Sequence, residues 1–182
     1  MINPKNFINF LKKNDINFFC GVPDSVLKSF SSQIEKEKNN YITANEGTAI
    51  SLGAGYHLAT RKMPCIYMQN SGLGNSVNPL TSLSHKKVFS LPSLILIGWR
   101  GSPNSKDEPQ HEIKGSITRE LLDLIGIKYH ILKKNDDYKN LKNLINYGKK
   151  NSLPVACLIK KNIFKDNLIK KSNQKKNNKG ID

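Results

Sequence analysis

Short apolar runs alternate with stretches of helical periodicity along the whole chain, and this alternation restricts the folds open to it more than any other feature. β-type runs fall at residues 17–20, 41–44, 65–68, 93–98, 129–132 and 155–159, and helical stretches at 4–14, 25–37, 47–60, 74–84, 116–125 and 137–150. A helix between successive strands supplies the long crossover that parallel neighbours need. The pattern therefore predicts an α/β fold: a six-stranded, mainly parallel sheet with helices on both faces. A chain of 182 residues suits one such domain, expected over residues 1–163, with a Lys/Asn-rich tail over 164–182.

Ligands of open parallel sheets bind beyond the carboxyl ends of the strands, and the unusual residues of this chain fall there repeatedly. Pro23-Asp24-Ser25 follows the first strand, Glu46 the second, Gln69 to Asn75 the third, and Trp99-Arg100-Gly101 the fourth. Four such turns on one edge predict a site more strongly than any single motif.

Glu46 is the most pointed of these residues. It ends the apolar run at Tyr41-Ile42 and precedes a helix whose Ala49, Gly53, Ala54, Gly55 and Ala59 permit close backbone approach. A partly desolvated carboxylate at that junction is suited to proton exchange; a helix-start acid favoured by the helix dipole is the plainer reading. Position alone weighs the two equally.

The remaining motifs are individually weaker. Gly72-Leu73-Gly74 lets backbone N–H groups approach a polar ligand, with Asn70, Ser71 and Asn75 adding neutral hydrogen bonds. Neither G-x-G-x-x-G at this turn nor G-x-x-x-x-G-K-[ST] anywhere is present, so dinucleotide and P-loop chemistry are not supported. Of Asp24 and Ser25, one is expected to cap the following helix and the other to face a ligand. Arg100 can grip a carboxylate or phosphonate in bidentate fashion, or pair with Asp107 or Glu108. His111 can transfer protons, bind an anion or lie exposed. It sits in residues 100–114, a segment long enough to read as a functional loop.

Composition narrows the class. Cys20, Cys65 and Cys157 lack metal-ligand spacing and fall inside β-type runs, as inert core thiols do. The net charge of +15 is partly local: residues 160–182 hold eight lysines against two acids, the pattern of a solvated end. Lysines without interleaved arginines and aromatics make a poor nucleic-acid signature. No apolar stretch approaches the ~20 residues of a membrane span, and the start lacks a signal-peptide core, so a cytoplasmic protein is expected.

The strings FCGVPDS, ITANEGTAISLGAGYHLAT, YMQNSGLGNSVNPLTSL, LILIGWRGSP and KDEPQHEIKGSITRELLD resemble the amino-terminal half of the phosphonopyruvate decarboxylases, thiamine-diphosphate enzymes of phosphonate biosynthesis. The resemblance runs from about residue 17 to 132. It implies a pyrimidine-binding domain in which Glu46 contacts N1′ of the aminopyrimidine and thereby promotes loss of the C2 proton from the thiazolium. The cofactor carries the hard chemistry, and the protein supplies orientation and proton tuning. On this resemblance the candidate cofactor-binding residues are Glu46, Asn70, Ser71, Gly72, Leu73 and Asn75. Asp24, Ser25, Arg100 and His111 are the candidate substrate-binding residues, with Glu46 and His111 catalytic. Asp24 fits an anion ligand poorly and suits orienting a donor or handling a proton.

The Gly-Asp-Gly…Asn segment that holds Mg²⁺ and the diphosphate in such enzymes is missing here. The resemblance therefore implies a separate diphosphate-binding subunit or domain that carries the Mg²⁺ ligands, an oligomeric assembly, and no activity of the chain alone. The expected substrate is 3-phosphonopyruvate, converted to phosphonoacetaldehyde and carbon dioxide. Related sulfopyruvate decarboxylases are split in this way and supply the runner-up substrate. The non-enzymatic alternative is an orphan domain that binds nucleic acid or an acidic partner through its tail.

Overall fold

The computed structural model describes residues 1–134 and 138–165. In chain order the elements are α1 (Pro4–Lys13), β1 (Phe19–Gly21), α2 (Lys28–Ile34), β2 (Asn40–Ile42), α3 (Glu46–Thr60), β3 (Cys65–Gln69), α4 (Leu73–Ser82), β4 (Leu94–Gly98), α5 (Pro109–Ser116), α6 (Thr118–Leu124), β5 (Lys128–Ile131), α7 (Lys139–Asn151) and β6 (Val155–Ile159). A 3-10 turn, Asn70–Gly72, joins β3 to α4. The sheet order is β2-β1-β3-β4-β6-β5, and every pairing is parallel. The alternation in sequence thus becomes the expected α/β sheet, without an antiparallel strand among the described residues.

Alternate residues of the central strands feed two cores, as the period-2 geometry of a strand requires. Cys65, Tyr67, Leu94, Leu96, Val155 and Cys157 pack with Phe7, Leu11, Phe30, Leu141 and Ile145 from α1, α2 and α7. Ile66, Met68, Ile95, Ile97, Ala156 and Leu158 pack on the other face with Ala49, Ile50, Leu73, Leu80 and Leu122 from α3, α4 and α6. All three cysteines are buried free thiols, and burial pushes the Cys20 thiol up to about 12, so they behave as core residues.

Local chemistry sets the helix starts. Asn3 accepts hydrogen bonds from the Lys5 and Asn6 N–H groups, with Pro4 in the first turn of α1. Asn45 does the same for Thr48 at the start of α3.

Three boundaries differ from the sequence expectations. Residues 100–114 are not all loop, because α5 begins at Pro109 and fits against the β4 turn through two glycines. A Cβ at Gly115 would lie 1.8 Å from the Gly101 carbonyl oxygen, and Gly101 itself has φ +62°. The second helix starts at Lys28 rather than residue 25. Phe164, placed at the head of the tail, is buried against Phe7 and Phe30, and its stretch bridges in parallel to Ile2. Residues 166–182 of the tail, like residue 137 of the last predicted helix, lie outside the described residues.

Candidate active site

Glu46 is the first residue of α3, half-buried where the carboxyl end of β2 meets the start of α4. Its Oε2 accepts a 2.8 Å hydrogen bond from Asn75 Nδ2. The side chain lies on Gly72: a Cβ there would sit 2.3 Å from the Glu46 Cγ, Cδ and Oε1. Gly47 permits the companion approach of the two helix starts, since its Cβ would lie 2.9 Å from the Asn75 carbonyl oxygen. Both glycines are therefore needed for clearance rather than for unusual dihedrals. At Gly74 an added Cβ would meet nothing within 4 Å, which leaves open space over the first turn of α4 beside Asn75.

The turns after β1 and β4 form a second cluster. Asp24, 7% exposed, accepts from the Leu27 N–H at 3.2 Å and from Gln69 Nε2 at 2.8 Å. Its carboxylate lies over Gly98, where a Cβ would be 1.7 Å from Oδ2. Asp24 thus closes the turn ahead of α2, whose start has no side-chain cap, and Ser25 is the exposed member of the pair. Arg100 donates through Nε and Nη2 to the carboxylate of Asp107 and through Nη1 to Ser25 Oγ at 3.3 Å. Of its two sequence readings, the ion pair with Asp107 is formed.

Asp107 is the organising residue of this cluster. With a side chain 2% exposed, it also accepts from the Gly101 and Glu108 N–H groups and pairs with Lys161 at 3.0 Å. The hydrogen bond from Arg100 holds its carboxyl far below the usual carboxylate range; burial opposes this, and Lys161 reinforces it. Arg100 is raised in turn, chiefly by the same bond. Sequence reasoning treated Asp107 only as an optional partner and did not single out Lys161.

Other candidates hold the scaffold together. Asn70, 4% exposed, donates to the Arg100 carbonyl and to Thr118 Oγ1, both at 3.0 Å, and accepts from the Arg100 N–H at 3.1 Å. Its amide ties the β3 and β4 turns to the start of α6. Ser71 donates to Gln69 Oε1 at 2.9 Å, and Leu73 is buried in the core under α4. His111 lies on α5 with Nε2 3.5 Å from Glu108 Oε2, while its buried Nδ1 has no hydrogen-bond partner among the described residues. The structure therefore brings Glu46, Gly72 and Asn75 together, and separately Asp24, Ser25 and Arg100 at the same strand edge.

A carboxylate with Oε1 turned to a glycine, a neighbouring amide and an open shelf suit a flat heteroaromatic ring bearing a basic nitrogen. They suit the pyrimidine half of thiamine diphosphate. The diphosphate half requires a cation, and the described residues contain no group of three or more His, Cys, Asp or Glu placed to hold a metal. Among those residues no helix is long and apolar enough to cross a membrane.

This fold and edge define a cofactor-binding α/β domain of the thiamine-diphosphate type. The chain belongs to the thiamine pyrophosphate enzyme family through its N-terminal TPP-binding domain, matched over residues 5–122. It is 38% identical over 153 residues to the sulfopyruvate decarboxylase subunit alpha of Methanocaldococcus jannaschii, a match covering 82% of this chain and 88% of that one. It is 36% identical over 139 residues to the phosphonopyruvate decarboxylase of Streptomyces viridochromogenes, which covers 75% of this chain. The chain spans about a third of that relative's length, 34%. Among solved structures, a thiamin diphosphate-dependent enzyme from Mycobacterium smegmatis superposes with TM-score 0.66 at 15% identity, covering 88% of this chain and 31% of the other. A 4-hydroxybenzoylformate decarboxylase of Rhodococcus jostii gives 0.63 at 18%, covering 86% and 29%. These structures share the fold.

Proposed function

We propose that the chain is the pyrimidine-binding part of a thiamine-diphosphate 2-oxo-acid decarboxylase that works with a diphosphate-binding partner carrying the Mg²⁺ site. Its substrate is a 2-oxo acid ending in a tetrahedral oxyanion, 3-phosphonopyruvate or its sulfonate counterpart. The observation that carries this reading is the Glu46 carboxylate seated on Gly72 and oriented by Asn75. Similarity to phosphonopyruvate decarboxylases supports the first substrate. Coverage of nearly the whole sulfopyruvate decarboxylase alpha subunit supports the second, and with it a separate partner subunit.

When bound, thiamine diphosphate supplies a nucleophilic carbon and a sink for the electrons released with carbon dioxide. Glu46 holds and returns a proton at the ring nitrogen of the pyrimidine. Asn75 fixes the carboxylate's rotamer by donating to Oε2, which leaves Oε1 for the ring. Ser25 and Arg100 face the anionic end of the substrate, where a fixed guanidinium stabilises charge without reorganisation. His111 serves as the proton donor to carbon after carbon dioxide leaves, since an imidazole can carry and release a proton. Asp24 orients Gln69 and the turn after β1.

The test is reconstitution. The chain mixed with a subunit carrying the Gly-Asp-Gly…Asn segment, thiamine diphosphate and Mg²⁺ should release carbon dioxide from one of the two acids, while the chain alone should not. Robust turnover by the chain alone, or none in the complex with either acid, would overturn the reading.

A further inference from the structure

On the α2 side of the same strand edge, a cavity of about 240 Å³ opens between the start of α2 and the turn after β6. Ser25, Lys28, Ser29, Lys161 and Asn162 line it above Phe164. This volume lies below the ~300–1,000 Å³ of drug-sized sites and suits a small ionic group. Among the described residues its wall contains two cations, two hydroxyls and an amide, and no carboxylate.

The described acid that pairs with Lys161 does not neutralise it. Asp107 is shared between Lys161 and Arg100 and is also engaged by two backbone N–H groups. Two cations against one carboxylate leave this trio net positive, and Lys28 adds a charge that makes none of the described ion pairs. Asp24 is buried behind the turn with both oxygens hydrogen-bonded. The Arg100 Nη1 contact to Ser25 Oγ carries the positive field to the mouth of the cavity. Lys161 is itself 43% exposed in its side chain, free to swing an N–H from Asp107 towards a ligand.

We propose that Lys161, Lys28 and Ser25 form a receptor for a tetrahedral oxyanion of the phosphate or phosphonate class, coupled to Arg100 through Asp107. Lysine ammonium groups act as point charges for such ions, and a hydroxyl adds a directional hydrogen bond. The pocket stands on its own chemistry. Assigning the oxyanion to the anionic end of the substrate rests on the decarboxylase reading.

The experiment is isothermal titration of the full chain with inorganic phosphate, methylphosphonate and phosphonoacetate, at ionic strength fixed with chloride. Saturable one-to-one binding is expected. Lys161→Met and Lys28→Met should each weaken it about tenfold, the loss of one charge-assisted hydrogen bond. Lys87→Met is the control, because this exposed lysine lies in the connection entering β4 at the opposite edge; it should leave binding unchanged. Circular dichroism checks that Lys161→Met folds, and Lys28→Met carries the test if it does not. Non-saturating binding, or equal losses in all three variants, would reduce the effect to general charge and overturn the proposal. Tighter binding of phosphonoacetate than of phosphate, with mutual competition, identifies the substrate's end as the source; preference for inorganic phosphate identifies a free ion. Intact oxyanion binding without decarboxylation in the reconstituted complex would leave the pocket standing and remove the enzymatic reading. The reverse pairing would do the opposite.

Discussion

Gly72→Ala separates the site from the fold. The backbone at Gly72, φ −77° and ψ −8°, accepts alanine without strain, and replacing glycine at a compatible position contributes roughly 0.4–1 kcal/mol through the unfolded state. The added Cβ would nonetheless sit 2.3 Å from three atoms of the Glu46 side chain, against the ~3.5 Å of an ordinary contact. Those atoms belong to a half-buried, flexible side chain, so Glu46 rotates away and its hydrogen bond from Asn75 is lost, at about 0.5–1.5 kcal/mol. The two contributions oppose each other, and net stability should stay within about 1 kcal/mol of the parent by urea denaturation of the chain. Catalysis should not survive so well. Displacing the acid by about an ångström predicts a loss on the order of 100-fold in kcat/KM of the assembled enzyme. Parent-like activity, or destabilisation beyond about 3 kcal/mol, would refute the placement of Glu46 on Gly72.

Other expectations follow from the same contacts. Gly21→Ala should destabilise by more than about 3 kcal/mol or abolish folding, as read by urea melts, because its Cβ would lie 2.0 Å from the Tyr67 backbone carbonyl oxygen, which cannot rotate aside. Asp107 has a depressed carboxyl, so its contribution is fully present above the unfolded value of ~3.9 and is lost as pH falls through the much lower folded value. Asp107→Asn should therefore cost about 1–3 kcal/mol at pH 7 and flatten the acid limb of stability below about pH 4, measured by denaturation across pH. In the reconstituted enzyme, Arg100→Ala should weaken phosphonopyruvate far more than pyruvate, whereas His111→Ala should chiefly lower turnover. Equal effects of Arg100→Ala on both acids would return Arg100 to a structural ion pair.

The sheet was legible because strand and helix periods alternate cleanly and the central strands are apolar on both faces. The position of Glu46 at the start of α3 was legible because a single carboxylate interrupts an apolar run just before a helix of small residues. Helix α5 was not. Its sequence, PQHEIKGS, buries only Gly115, so no apolar stripe announces it, and it is held by the close fit of Gly101 and Gly115. Asn70 reads locally as a ligand-facing amide, yet it spends its hydrogen bonds on Arg100 and Thr118, partners distant in sequence. Lys161 escaped notice, and Asp107 was read only as an optional partner of Arg100, for the same reason. Their meeting depends on β6 lying beside β4, an order that no local pattern encodes.

The most direct test of the central claim is hydrogen–deuterium exchange at C2 of thiamine diphosphate in the reconstituted enzyme carrying Glu46→Gln. Glutamine preserves the side chain's size and can keep the Asn75 contact, so the fold and cofactor binding should persist. It cannot hold and return a proton at the pyrimidine nitrogen. Exchange slowed by about 100-fold or more is predicted, and an unchanged rate with cofactor bound would remove Glu46 from the mechanism.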